Sequence, residues 1–255
     1  MMEFLSLKLS IIKNQTMKLF RVAFSLFLFV PAIFSQAQTV EEVIQKYVDG
    51  MGGKEVISKI KTQVIESGLS VMGSELTSKA TILVGKGFKS VTNYNGQDII
   101  QCITPMGGWT INPLQGITDA QALPEDQVKA AQSAIYVGGE LYNYKEKGSK
   151  VELVGRENIE GINTYKIKLV NKEGKESVFY IDPATYYVIK RETISKIGGQ
   201  DVTSVSTFSN YKKTPLGLVV PYTTITNQGG FEITMTINKI EFNVEVDPKI
   251  FEMPK

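Results

Sequence analysis

The spacing of turn sequences between short β-rich runs constrains the fold of this chain more than any other feature. Asn95-Gly96 joins the runs 88–94 and 97–104, and Asn-Gly in that setting is the strongest short-range signal for a β-hairpin. Turn sequences recur about every ten residues, which is typical of an antiparallel meander and not of alternating βαβ units. The predicted strands cover residues 62–72, 75–84, 88–94, 97–104, 150–158, 162–171, 176–181, 186–195, 201–211, 222–226 and 231–244.

This number of strands limits the shape of the sheet. A single sheet of about ten strands must curl strongly or close, because open twisted sheets rarely grow larger. We therefore predict an α+β, mainly β, fold built on a strongly curved antiparallel sheet. No linker or charge run divides residues 38–255, which we expect to form a single domain.

Two short helices are predicted before the strands. Thr39 can cap the first helix, and Glu42, three residues later, can complete a capping box. Gly52-Gly53 ends that helix, and a shorter one follows over residues 54–60. We expect the apolar stripe of the first helix to pack against the sheet, and partner binding is the alternative. The stripe consists of Val40, Val43, Ile44, Tyr47 and Val48.

A segment of different character, residues 112–139, interrupts the meander. Its second half, 125–136, has helical periodicity, and Pro124 suits the first turn of a helix. A helical insertion between two halves of a curved sheet can cover the concave face. One face of the predicted helix carries Val128, Ala131, Ala134 and Ile135.

The N-terminal sequence is typical of a secretory signal peptide. A basic segment, 17–21, precedes an apolar stretch, 22–34, which Pro31 interrupts and which is too short to span a bilayer comfortably. We predict a true start at Met17 and cleavage after Ala37, so that residues 1–37 are removed. An uncleaved N-terminal anchor is the alternative.

The cysteine count and the net charge limit the covalent links and the partners that this chain can have. Cys102 is the only cysteine, so we expect neither an internal disulfide nor a lipid anchor at the cleavage site. Residues 1–37 contain four of the 28 basic residues and one of the 26 acidic residues, which leaves the remainder close to neutral. Without a basic face, nucleic acid is not an expected partner.

The chain lacks the residues of several catalytic and cofactor-binding sites. It contains no histidine, which excludes Ser-His-Asp and Cys-His catalysis and histidine-ligated zinc. Gly85-Lys86-Gly87 lacks the spacing of a phosphate-binding loop. Asp49, Glu66 and Asp182 are carboxylates without any sign that two of them act as an acid–base pair. We therefore expect no enzyme activity, no metal and no cofactor.

Several motifs, taken in order, resemble a known family. The likeness extends over nearly all of residues 38–255, and the family is that of the outer-membrane lipoprotein-sorting proteins, related in fold to the LolA and LolB lipoprotein carriers of Gram-negative bacteria. The motifs are the opening VIQKYVDGMGGKEVISKIKT, Gly161-x-x-x-Tyr165-x-Ile167-x-Leu169, Val178-Phe179-Tyr180-Ile181-Asp182-Pro183-x-Thr185, Ile189-Lys190-Arg191, Tyr211-Lys212, Gly217, Pro221-Tyr222 and Phe251-Glu252-Met253-Pro254.

This resemblance implies a half-open β-barrel with helices in its concave face and an apolar cavity that receives acyl chains. It also implies a monomeric periplasmic carrier whose partner is a lipid or a lipoprotein acyl chain. In the LolA carriers an arginine in an early strand controls lid closure. Residues 62–104 contain no arginine, so no residue is assigned that role.

Nine large apolar residues are candidates to line the cavity. Such a site needs no catalytic group, because withdrawing an acyl chain from water is favourable by about 0.8 kcal/mol per CH₂. Met106-Gly107-Gly108-Trp109 is the most suggestive stretch, since it combines a flexible Met and a large aromatic with glycines. The alternative is that all nine belong to an ordinary core. The candidates are Phe88, Tyr94, Ile100, Met106, Trp109, Ile111, Leu114, Tyr180 and Phe208.

Two other functions remain open at this point. The same fold could serve as an envelope sensor or regulatory module that recognises a protein partner, which requires an exposed apolar patch or sheet edge. An enzyme ranks last, because the chain has no recognisable catalytic group.

Overall fold

The computed structural model describes residues 38–197 and 200–254. The predicted signal peptide, residues 1–37, lies outside the described residues. No helix in the described ranges is both long enough and apolar enough to span a membrane.

The described strands form a thirteen-stranded sheet in which each hydrogen-bonded pair is antiparallel. Its spatial order is β6-β5-β4-β3-β2-β1-β13-β12-β11-β10-β9-β8-β7, so the chain builds one half outward from β1 and the other inward to β13. The strands are β1 Thr62–Val71, β2 Ser74–Leu83, β3 Gly87–Tyr94, β4 Gln97–Thr104, β5 Gly107–Asn112, β6 Ile117–Ala122, β7 Lys150–Ile159, β8 Ile162–Val170, β9 Glu176–Ile181, β10 Val188–Ile197, β11 Gln200–Lys213, β12 Val219–Gln228 and β13 Phe231–Phe242.

Three α-helices accompany the sheet in the described residues. The N-terminal capping box is confirmed, because the Thr39 hydroxyl accepts a hydrogen bond from the Glu42 amide and the Glu42 carboxylate accepts one from the Thr39 amide. The helices are α1 Val40–Gly50, α2 Lys54–Ser58 and α3 Glu125–Ala131, and 3-10 turns cover Pro113–Gln115, Gln132–Ile135 and Pro248–Phe251.

The sheet is strongly curved and unclosed, as predicted. Helix α3 contacts both β5 and β10, which lie eight strands apart in the sheet, so the two halves must bend towards each other around the helix. Together with the preponderance of strand, this confirms the α+β, mainly β, fold class.

The insertion lies further along the chain than the sequence indicated, because two strands were not predicted. Gly107–Asn112 forms β5 and Ile117–Ala122 forms β6, so the flexible glycines before Trp109 belong to the sheet. Gly108 is required there, because a Cβ at this position would lie 2.7 Å from the Cys102 carbonyl oxygen. The covering segment is therefore 123–149, with α3 at its start.

The main core lies between α1 and the half of the sheet formed by β8–β12. The apolar stripe of α1 is buried there, which confirms core packing. Tyr142 and Tyr144, from the turns after α3, join the same core. A second, smaller cluster contains Cys102, Trp109 and Phe251.

Candidate functional site

A cavity of about 1100 Å³ lies between the covering segment and the sheet. Its boundary includes α2, the β2–β3 turn, the β4–β5 turn, α3, the turns 136–149 and the β8–β9 turn. Ligand pockets typically measure about 300–1,000 Å³, so this cavity slightly exceeds that range.

The deep wall of the cavity is apolar. It includes Ile57 and Ile60 near α2, Val128 on α3, and Leu169 at the end of β8, each of them buried. Tyr142 closes the same wall and is also buried. Because these side chains border empty volume and are shielded from solvent, they can contact the hydrocarbon part of a ligand.

The covering segment is attached to both halves of the sheet by hydrogen bonds. The Ile135 carbonyl accepts from the Gly85 amide at 2.9 Å, and the Gln132 amide donates to the Thr104 carbonyl at 3.0 Å. On the opposite side, the Lys175 ammonium donates to the Ala130 carbonyl at 3.4 Å. The segment thus bridges the concave side through a few polar contacts.

The chain re-enters the core through a tight turn after the 3-10 segment. Gly138 has φ +91°, and a Cβ there would lie 2.9 Å from Ile57 and 2.8 Å from Tyr142. A side chain at this position is therefore excluded by both backbone conformation and space.

Charged side chains surround the cavity in two layers. Lys129 and Glu125 form an exposed pair on α3, and Lys172 and Glu173 form another on the β8–β9 turn. These pairs lie at the rim, whereas a more buried group lies further in.

The inner charged group centres on Glu140. Its carboxylate lies 3.2 Å from the Lys175 ammonium, and the two side chains are only 12% and 17% exposed. Burial alone would raise the pKa of Glu140, but Lys175 and Arg191 outweigh it and lower that pKa. Glu140 is therefore ionised at neutral pH.

Lys147 is the other cation of the inner group. Its ammonium donates to the Gly139 carbonyl at 2.8 Å and lies 5.6 and 5.7 Å from the ring centres of Tyr136 and Tyr142. Burial lowers the pKa of Lys147 to about 8, although the nearby carboxylates Glu140 and Glu146 oppose that shift.

The structure places the nine sequence-predicted residues in different environments. Met106 lines the cavity and is 96% exposed. Phe88 pairs directly with Ile103, whose side chain approaches Leu123 of the cavity wall around Gly108. Phe88 and Tyr94 therefore lie on the same face of the sheet as Ile103, but neither lines the cavity.

Three of the nine lie on the opposite side of β4 and β5. Ile100, Trp109 and Ile111 belong to the second apolar cluster, which the C-terminal segment covers. The Trp109 indole donates to the Phe251 carbonyl at 3.0 Å, and the ring is 4% exposed. Trp109 thus fills a packed site away from the cavity.

The last three candidates also lie outside the cavity lining. Leu114 is exposed in a 3-10 turn, and Phe208 is half-buried against the main core. Tyr180 is buried on the face opposite Phe179, between its cross-strand neighbours Lys166 and Lys190. The nine residues are thus divided among several environments.

Sequence reasoning missed the inner charged group. Glu140 and Lys147 lie in irregular turns without periodicity, and Lys175 lies in a hairpin turn. For the apolar wall of the cavity, one sequence signal was available. Val128 was predicted to lie on the apolar face of α3, and it does line the cavity.

Chemistry at the cavity is limited in the described part of the chain. No group of three or more potential metal-ligating side chains occurs there. Cys102 is buried in the second cluster, where burial raises the pKa of its thiol to about 11, so the thiolate is not available at neutral pH.

Comparison with solved structures identifies the class of fold. A LolA superfamily protein from Nitrosomonas europaea is similar with a TM-score of 0.57 and 13% identity, over 85% of this chain and 98% of that one. A domain assigned to the outer-membrane lipoprotein-sorting proteins, from Vibrio parahaemolyticus, gives 0.54 and 14%, over 83% and 96%. The resemblance to this class is thus confirmed at the level of the fold. No protein-family model and no curated protein matches the sequence.

Proposed function

We propose that this protein is a non-enzymatic binding or carrier protein of the periplasm that holds the acyl chain of a lipid or lipoprotein in the cavity. The observation that carries the proposal is an unfilled volume of about 1100 Å³ with a buried apolar wall. The fold shared with a lipoprotein-sorting domain supports it, as does the predicted signal peptide.

The structure suggests a lining set that differs from the sequence prediction. Met106 is retained, and the buried apolar wall replaces the residues that pack elsewhere. An acyl chain against this wall is stabilised by about 25 cal/mol for each Å² of apolar surface removed from water. The proposed lining residues are Ile57, Ile60, Val84, Met106, Leu123, Val128, Val137 and Leu169.

A cavity-filling substitution tests this proposal. Val137 lines the cavity and is half-buried. Val91 is also half-buried, but it lies on the face of β3 that points away from the cavity. Val137→Trp and Val91→Trp therefore add the same side chain inside the cavity and outside it. We expect Val137→Trp to weaken binding of a fluorescent fatty acid at least tenfold and Val91→Trp to leave it unchanged. Equal affinity in both variants would contradict the proposed site.

A regulatory or interaction module is the second candidate function, and exposed apolar side chains favour it. Met72 is 77% exposed and Phe231 is 54% exposed, at neighbouring ends of β1 and β13. An envelope protein partner could bind this end. The double variant Met72→Ser/Phe231→Ser is expected to lose such a partner in a pull-down from envelope extract and to keep fatty-acid binding; retention of the partner would reject this surface.

A further inference from the structure

Lys147 differs from the other cations that line the cavity. Lys129, Lys172 and Lys175 each lie within 4 Å of a carboxylate. Lys147 also borders the cavity, but among the described residues it takes part in no ion pair. It is also half-buried, and an ammonium that is withdrawn from water without a counter-charge is costly.

The hydrogen-bonding capacity of Lys147 is only partly used. An ammonium group has three N–H donors, and one of them is directed to the Gly139 carbonyl. The rings of Tyr136 and Tyr142 lie beside the ammonium and offer it only their faces. Donors therefore remain for a ligand atom in the cavity.

The carboxylates near Lys147 are already neutralised by other cations. Glu140 is paired with Lys175 and also experiences the charge of Arg191. Glu146 is exposed and lies 3.6 Å from Lys54. In the described part of the chain, Lys147 is thus the cavity-lining lysine that no carboxylate within 4 Å neutralises, which favours an anionic group of a ligand beside it.

We propose that the ligand is an amphiphile with a single anionic head, a carboxylate or a phosphate monoester, and that this head binds Lys147 while the acyl chain lies along the apolar wall. This inference rests on the proposed function. It adds the chemistry of the head and the residue that recognises it.

Binding of three probes of equal chain length tests the inference: a fatty acid, the corresponding fatty alcohol and the corresponding alkyl phosphate, each below its critical micelle concentration. For the unaltered protein we expect one of the two anions to bind at least tenfold more tightly than the alcohol, since hydrogen bonds to charged groups are about twice as strong as neutral ones. The anion that binds more tightly distinguishes a carboxylate head from a phosphate head.

Two lysine variants locate the head. We expect Lys147→Met to remove the preference for the anion while alcohol binding persists, and Lys147→Arg to retain part of it. Lys129→Met is the matched control, because Lys129 borders the same cavity but is paired with Glu125 at the rim; it should keep the preference.

The outcomes separate this inference from the proposed function. Equal binding of alcohol and anions by the unaltered protein overturns the anionic head and leaves the acyl-chain site standing. Binding of none of the probes overturns both. Should Lys147→Met fail to fold, the preference in the unaltered protein and its response to Lys147→Arg decide the matter.

Discussion

The two faces of the sheet around β4 and β5 are both apolar, yet they are covered in different ways. On one face the C-terminal segment places Phe251 against Trp109 and Cys102, and little space is left. On the other face the covering segment, which begins at Leu123, crosses above Ile103 and borders a large cavity. Met106 and Trp109 are thus close in the sequence, but Met106 borders the cavity and Trp109 fills a packed cluster.

The difference shows what distinguishes a core from a binding site in this fold. The Trp109 cluster is closed by side-chain packing and by a buried hydrogen bond. The cavity is roofed by a segment that packs into the main core through Leu141 and Tyr144 and is hydrogen-bonded to the sheet, yet leaves a large volume unfilled.

The largest effect is expected from Trp109→Ala. The change empties the centre of the packed cluster and removes the hydrogen bond to the Phe251 carbonyl, so we expect the free energy of unfolding to fall by about 3–5 kcal/mol. Chemical denaturation measures it. Met106→Ala, in the exposed β4–β5 turn, should change stability by less than about 0.5 kcal/mol. Similar losses in both variants would remove the contrast between the two faces.

A smaller effect is expected from Lys175→Met on the cavity side. The substitution leaves the shielded carboxylate of Glu140 without its ion-pair partner and removes the contact with Ala130, at a cost of about 1–3 kcal/mol. In a double-mutant cycle, Glu140→Gln should recover part of that loss. Additive effects of the two substitutions would show that the pair does not hold the covering segment.

A third effect is a pH dependence that comes from Lys147. Its pKa of about 8 in the folded state lies below the ordinary value of 10.5, because the ammonium is buried beside Tyr136 and Tyr142. Between these two pH values the unfolded chain binds the extra proton, so the contribution of Lys147 to stability rises as pH increases.

Denaturation of the unaltered protein and Lys147→Met from pH 7 to 10.5 measures this contribution. The difference in free energy of unfolding should shift in favour of the unaltered protein across that range. The raised pKa values of the buried phenols Tyr47 and Tyr211 act in the opposite direction above about pH 10. They are present in both proteins and cancel. A constant difference would contradict the burial of the ammonium.

Much of the fold could be predicted from the sequence because its signals are local. Asn95-Gly96 fixed a hairpin, and Thr39 with Glu42 fixed the start of α1. Strands β5 and β6 were missed because Pro113, directly after β5, and Gly116, directly before β6, are typical of a loop.

The cavity could not be located from the sequence for a different reason. Alternation along β4 and β5 indicates that Ile103 and Cys102 lie on opposite faces, but not which face the covering segment crosses. Trp109 was selected for its size, and size does not distinguish a packed face from a hollow one. Lys147 lies in turns with no period, so its approach to the cavity depends on tertiary structure alone.

Photolabelling with a fatty acid that carries a diazirine on its chain tests the central claim most directly. We predict saturable labelling, competed by unlabelled fatty acid, of peptides that contain Met106, Val128 and Val137 along the cavity. Labelling confined to peptides around Trp109 and Phe251, or labelling that does not saturate, would contradict an acyl-chain site beneath the covering segment.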